Sequence, residues 1–165
     1  MSYLSPLLAI VTGIVHAGLA PVILVGGVKP NLALVAVVMV TCLAGFMPGV
    51  TWAFATGLTV NLLVGEPLGA IPLGLLLVVA LVSGGARIAG RLVWIYPIVA
   101  ALIGSIVGDA ATFFASQLVT DADPAGPPLD ILAAAAALNA AIVGLLLLPV
   151  RVLVARYAPG DTPAW

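Results

Sequence analysis

Apolar residues run along most of this chain with neither the strict alternation of a strand nor the one-sided stripe of a surface helix. LGLLLVVALV (73–82) and LAAAAALNAAIVGLLLL (132–148) are apolar on every side. A helix that is hydrophobic all round lies in a large core or in a bilayer. A membrane β-barrel needs alternating lipid-facing and lumen-facing positions, which these runs lack. The runs are broken at Gly26-Gly27-Val28-Lys29-Pro30, at Phe46-Met47-Pro48-Gly49, at Gly65-Glu66-Pro67-Leu68-Gly69, at Gly84-Gly85 and at the acidic, proline-rich segment 120–130. These breaks predict helices over about 4–26, 31–45, 49–64, 69–86, 94–119 and 130–153, a single transmembrane domain over 1–165. Asn31 and Asp130 stand where side-chain caps are expected. Pro21 is expected to kink the outer end of the first helix. Trp94 and Tyr96 suit the headgroup level.

Within the apolar runs, small residues recur at every fourth position. Gly49, Ala53, Gly57 and Asn61 form one such stripe, Ser5, Ala9, Gly13 and Ala17 a second, and Ala100, Gly104, Gly108, Thr112 and Ser116 a third. Helices cannot associate in a bilayer by escaping water. They associate by close packing, which small residues permit. The stripes are therefore expected faces for helix packing or for a partner. Three of them in so short a chain would leave one for a neighbour, which makes a homodimer an expected arrangement. A stripe at every fourth residue also drifts about 40° per step, so one helix cannot follow all of it.

Composition sharpens the membrane assignment. Of 165 residues 64% are hydrophobic and 7% charged, against about 25% charged in soluble domains. At about 20 residues per crossing the chain has room for five to seven helices and no soluble domain. The segment 1–20 lacks the basic start of a signal peptide, and its small-residue site is followed by Pro21, so a retained helix is expected. The net charge of −1 offers no basic patch for nucleic acid. Cys42 is the single cysteine, which leaves no intrachain disulfide and no four-cysteine metal site. No metal or cofactor is expected. Arg87, Arg91, Arg151 and Arg156 fall on one side of the predicted crossings, while Lys29, Glu66, Asp121, Asp123 and Asp130 fall on the other. The positive-inside rule then places both termini in the cytoplasm and requires an even number of crossings, six.

Four polar residues interrupt the apolar helices: His16, Asn61, Asp109 and Asn139. Such groups are costly in a bilayer and are functional candidates by default. At 1.5 Å per residue, Asp109 lies roughly 22 Å, His16 roughly 18 Å and Asn139 roughly 14 Å from their helix starts. All four then fall at mid-membrane or in the outer half, where they could line one polar pocket open to the outside. The competing readings are structural. An intramembrane Asn serves as interhelical glue, and Asp109 is paired with His16 or a backbone donor, binds a ligand or partner, or carries a proton. Catalysis is not expected. Ser83, the serine in a glycine context, lies far in depth from His16 and Asp109, and catalytic groups need hydrogen-bond reach.

Lys29-Pro30-Asn31-Leu32 before an apolar run, and Gly57-Leu58-Thr59-Val60-Asn61 before Leu68-Gly69, resemble motifs of the rod shape-determining protein MreD family. Asn31 and Asn61 stand where the family pattern has Asp, so the hydrogen-bonding shape is kept and the charge is not. The resemblance implies a multi-pass protein of the bacterial inner membrane and a non-catalytic scaffold of the cell-elongation machinery. It would bind an MreC-like membrane protein and help control peptidoglycan synthesis beside MreB and the peptidoglycan synthases. The family is similar in fold to the six-helix substrate-binding subunits of energy-coupling-factor vitamin transporters. That similarity supplies the alternative expectation, a vitamin-capturing transporter subunit with an outward pocket. The first-helix stripe would suit such a subunit, whereas the scarcity of aromatics in the outer halves would not.

Overall fold

The computed structural model describes residues 4–89, 95–119 and 129–157. Among them are six helices: α1 (Leu4–Leu19), α2 (Leu32–Ala44), α3 (Phe46–Val64), α4 (Ala70–Ala89), α5 (Tyr96–Val119) and α6 (Leu129–Tyr157). Arg91, Trp94, the acidic loop with Asp121 and Asp123, and the tail from 158 lie outside the described residues. Helices α3, α4, α5 and α6 are long and apolar enough to cross a membrane; α1 and α2, of 16 and 13 residues, are shorter apolar helices. Large apolar side chains cover the outside, with Leu118 89% and Ile88 87% exposed. Lipid is the environment that suits such a surface, and the chain is a helical membrane protein.

Several of the expected helix boundaries move, three of them for reasons in the backbone. The first helix does not reach residue 26. Inside a helix, the Pro21 ring would clash with the carbonyl four residues back, and α1 ends at Leu19. The chain then turns through Gly26 and Gly27, at φ +60° and +83°, where glycine carries no Cβ penalty. Val25 N–H donates to Val28 O (3.0 Å) and Val28 N–H to Val25 O (3.1 Å), closing a tight hairpin. The fourth helix, expected to stop at Gly84-Gly85, runs on to Ala89. Glycine lowers helix stability by about 1 kcal/mol without forbidding the helix. At Gly85 the missing side chain also admits a neighbour, because a Cβ there would lie 2.8 Å from Tyr96 Oη. The Tyr96 hydroxyl donates to Val82 O, tying the start of α5 to the end of α4. The third helix starts at Phe46, earlier than expected, since Pro48 in a first turn removes an N–H that has no helical partner anyway. The last helix carries Pro149 in its interior and reaches Tyr157.

Helix α2 occupies the centre. It packs on all five others, while α1, α3, α4, α5 and α6 follow one another around it as an arc. Ala33, Leu34, Val35, Val37, Val38 and Met39 are buried on its successive faces. Leu34, Val37 and Val38 meet Val78, Val79 and Val82 of α4 and Val143 of α6 in the core. At 1.5 Å per residue α2 is only about 20 Å long, less than a ~30 Å hydrocarbon core. Its neighbours bury its middle turns and its Asn31 end meets protein groups, while Ala44 at the other end is exposed.

All three small-residue stripes lie at contacts within the bundle. On α1, a Cβ at Gly13 would lie 2.8 Å from Thr59 Cβ of α3. Thr56 Oγ1 donates to Ala9 O (2.9 Å) and Trp52 Nε1 to Ser5 Oγ (2.8 Å) along the same seam; Ala17 is half-buried beyond it. On α3, Gly49 abuts Thr41 of α2 and Val79 of α4, Ala53 is fully buried, and a Cβ at Gly57 would lie 2.8 Å from Pro72 Cα. On α5, Gly104 and Gly108 face Val78, and Gly108 lies against Gly74 of α4. Helix packing is thus the role these residues take. The expectation of a spare stripe for a neighbour is corrected, and with it the argument for a homodimer. The drift of the α3 stripe shows in the change of neighbour, from α2 and α4 at Gly49 to α4 at Gly57.

Candidate functional site

The ends of α1, α3 and α5 and the starts of α2, α4 and α6 meet at one end of the bundle. Asn31 is the centre of that end. Its Oδ1 accepts from Leu34 N–H (3.1 Å), capping α2 as its position before the apolar run predicts. That bond fixes the amide orientation and turns Nδ2 towards α5, where it donates to Asp109 Oδ1 (3.2 Å). The backbone N–H of Asn31 donates to Asn139 Oδ1 of α6 (2.8 Å), and Asn139 Nδ2 donates to Ser105 Oγ of α5 (2.6 Å). Asn139 and Ser105 are fully buried. Three helices are thereby joined through one cap, and buried polar groups find the partners that burial demands.

Asp109 and Asn139 thus share one network, as their depth predicts, but Asp109 is partnered by Asn31 and not by His16. His16 approaches the same region from α1, and its Nδ1 is buried without a hydrogen-bond partner. Asn61 stands apart from the other three. Its Nδ2 donates to Glu66 O (2.7 Å) and Pro67 O (3.1 Å), while its Oδ1 accepts from Gly69 N–H (3.0 Å) and Ile71 N–H (3.4 Å). It organises the α3–α4 turn, is 1% exposed and lies outside the lining of the cavity at this end. Two residues of this end were missed in the sequence. Ser105 sits four before Asp109, one turn away on the same face of α5, a spacing that marks it as a partner for the same neighbour. Glu66 joins the end through Ser116, whose Oγ donates to Glu66 Oε2 (3.1 Å).

Between the polar network and the 20–31 segment lies a cavity of about 500 Å³. His16, Lys29, Asn31, Glu66 and Asp109 contribute its polar lining, and aliphatic side chains with Phe113 make the rest. That size is ordinary for small-molecule sites. Ser83 lies on α4 about 20 Å along the helix from the start that faces this end, and its Oγ has no hydrogen-bond partner. Among the described residues no three His, Cys, Asp or Glu side chains gather as a metal site.

Fold and site define a helical membrane protein with a polar junction and a cavity at one end. No family model matches the chain, and comparison with curated proteins and with solved structures finds no match.

Proposed function

We propose that this chain is a non-catalytic scaffold of the bacterial cell-elongation machinery, similar to the MreD family. It would cross the inner membrane six times with both termini in the cytoplasm, bind an MreC-like partner and help control peptidoglycan synthesis. One observation carries the reading: the two positions on which the resemblance rests are the joints of one end of the bundle. Asn31 caps α2 and joins it to α5 and α6, and Asn61 shapes the turn into α4. In both, the acceptor oxygen receives backbone N–H groups, work that an Asp carboxylate also performs. The acceptor half of the family pattern is thus kept, while the amide nitrogens add contacts to Asp109 and to two turn carbonyls that an Asp could not make. Tagged chain purified from its native membrane is expected to retain an MreC-like single-span protein, and its depletion to round the cells. A folded preparation that retains no such protein, from cells whose shape survives depletion, removes the proposal.

The cavity favours a second reading, capture of a small molecule as in the energy-coupling-factor transporter subunits. Co-purification of a pair of ATPases in place of an MreC-like protein is the outcome that selects it.

A further inference from the structure

The cavity's polar groups have a chemistry of their own. Asp109 brings a carboxylate to its lining from α5, and His16 lines it from α1. Asp109 receives Asn31 Nδ2 on Oδ1, which leaves its carboxylate with further acceptor capacity. His16 Nδ1 is buried behind the cavity surface and unpartnered, so the imidazole lines the cavity without offering that nitrogen to a ligand. Lys29 and Glu66 are exposed at the rim. Two carboxylates against one ammonium leave the lining one negative charge in excess when His16 is neutral. Much of the remaining lining is apolar, with Val60 and Val64 from α3, Phe113 from α5 and Leu132 from α6.

We propose that this cavity binds the ammonium group of an amphipathic amine. An ammonium has three donors and no acceptor. Its N–H groups reach the Asp109 carboxylate, while the apolar body lies on Val60, Val64, Phe113 and Leu132. A carboxylate ligand would face Asp109 with like charge, and a purely apolar one would leave the remaining acceptor capacity of Asp109 unused. The ammonium comes either from an ethanolamine lipid headgroup or from a free amine. Among the described residues, helices α1 and α6 both line the cavity and are not among the helix pairs that pack extensively. The site's occupant and the protein partner are separate questions, so loss of amine binding and loss of an MreC-like protein are distinguishable results.

The test uses the full chain in nanodiscs, titrated calorimetrically with benzylamine and with benzoate. Benzylamine is expected to bind one to one in discs of phosphatidylglycerol alone, and benzoate at least tenfold more weakly. Asp109→Asn keeps the acceptor for Asn31 and is expected to weaken benzylamine at least tenfold. Leu132→Trp, which fills the cavity and leaves the Asp109 carboxylate in place, is expected to abolish binding. In discs containing phosphatidylethanolamine, native mass spectrometry reads the source. A retained ethanolamine lipid that Asp109→Asn releases assigns the headgroup, and benzylamine binding without a retained lipid assigns a free amine. Equal binding of benzoate, full benzylamine affinity in a folded Asp109→Asn or Leu132→Trp variant, or no binding of either amine source overturns the proposal. If Asp109→Asn fails to fold, Leu132→Trp decides.

Discussion

Asn31 and Asn61 each use both ends of the side-chain amide, which is why neither is freely exchanged for a carboxylate in this chain. At position 61 the donor end holds two turn carbonyls and the acceptor end two backbone N–H groups. Asn61→Leu strands those groups at once, and a loss of about 2–3 kcal/mol is expected, read as a lowered unfolding midpoint in detergent. At position 31 an aspartate would keep the cap on Leu34 but place a second carboxylate where an N–H now meets Asp109, 3.2 Å away. Asn31→Asp is therefore expected to destabilise, and adding Asp109→Asn to recover much of the loss. A double-mutant cycle should show coupling of about 1–3 kcal/mol; additive effects would mean that the contact does not couple the helices.

At the scale of the element, the same residue type has opposite value at different sites. A Cβ at Gly57 meets the Pro72 backbone at 2.8 and 3.0 Å, where nothing can rotate away. Gly57→Ala is expected to cost about 1–3 kcal/mol through overpacking. At Gly84 a Cβ meets nothing within 4 Å. Gly84→Ala should raise stability by up to about 1 kcal/mol through helix propensity. Thermal unfolding of the two variants in one detergent checks both signs. That contrast also marks what the sequence could and could not convey. The i+4 stripes on α1, α3 and α5 were legible as close contacts because glycine is otherwise costly in a helix. Their neighbours were not, because Pro72, Thr59 and Val78 carry no mark of which stripe they face. The breaks at Gly65–Gly69 and Gly45–Gly49 were legible through their turn residues, whereas Gly84-Gly85 misled because its glycines make room for Tyr96. In the candidate site, the depth of Asp109 and Asn139 was readable from helix rise. The fate of Asn61 was not, since its partners are backbone groups that every residue possesses.

At the scale of the molecule, charge sorts to the two ends. Lys29, Glu66 and Asp130 lie at the cavity end, and Arg87, Arg151 and Arg156 at or towards the other. With the arginine end in the cytoplasm, a cysteine placed by Glu66→Cys in a Cys42→Ala background should react with a membrane-impermeant maleimide in intact cells. One placed by Arg87→Cys should react only after permeabilisation. The reverse pattern would invert the orientation and turn the cavity to the cytoplasm.

The central place of α2 has a consequence for biogenesis. The helix second to be synthesised is the one that every other helix must surround. The partners of its cap arrive 78 residues later, at Asp109, and 108 residues later, at Asn139. At about 5–20 residues per second of synthesis, a wait of roughly 5–20 s separates the appearance of Asn31 from that of its last partner. During that interval α2 is too short to span the bilayer alone and must be held by the insertion machinery or by α1 and α3. Nascent chains arrested before Asn139 should therefore remain crosslinked to that machinery through α2, and chains extended beyond α6 should be released. The innermost helix sets the pace at which the whole protein leaves its insertase.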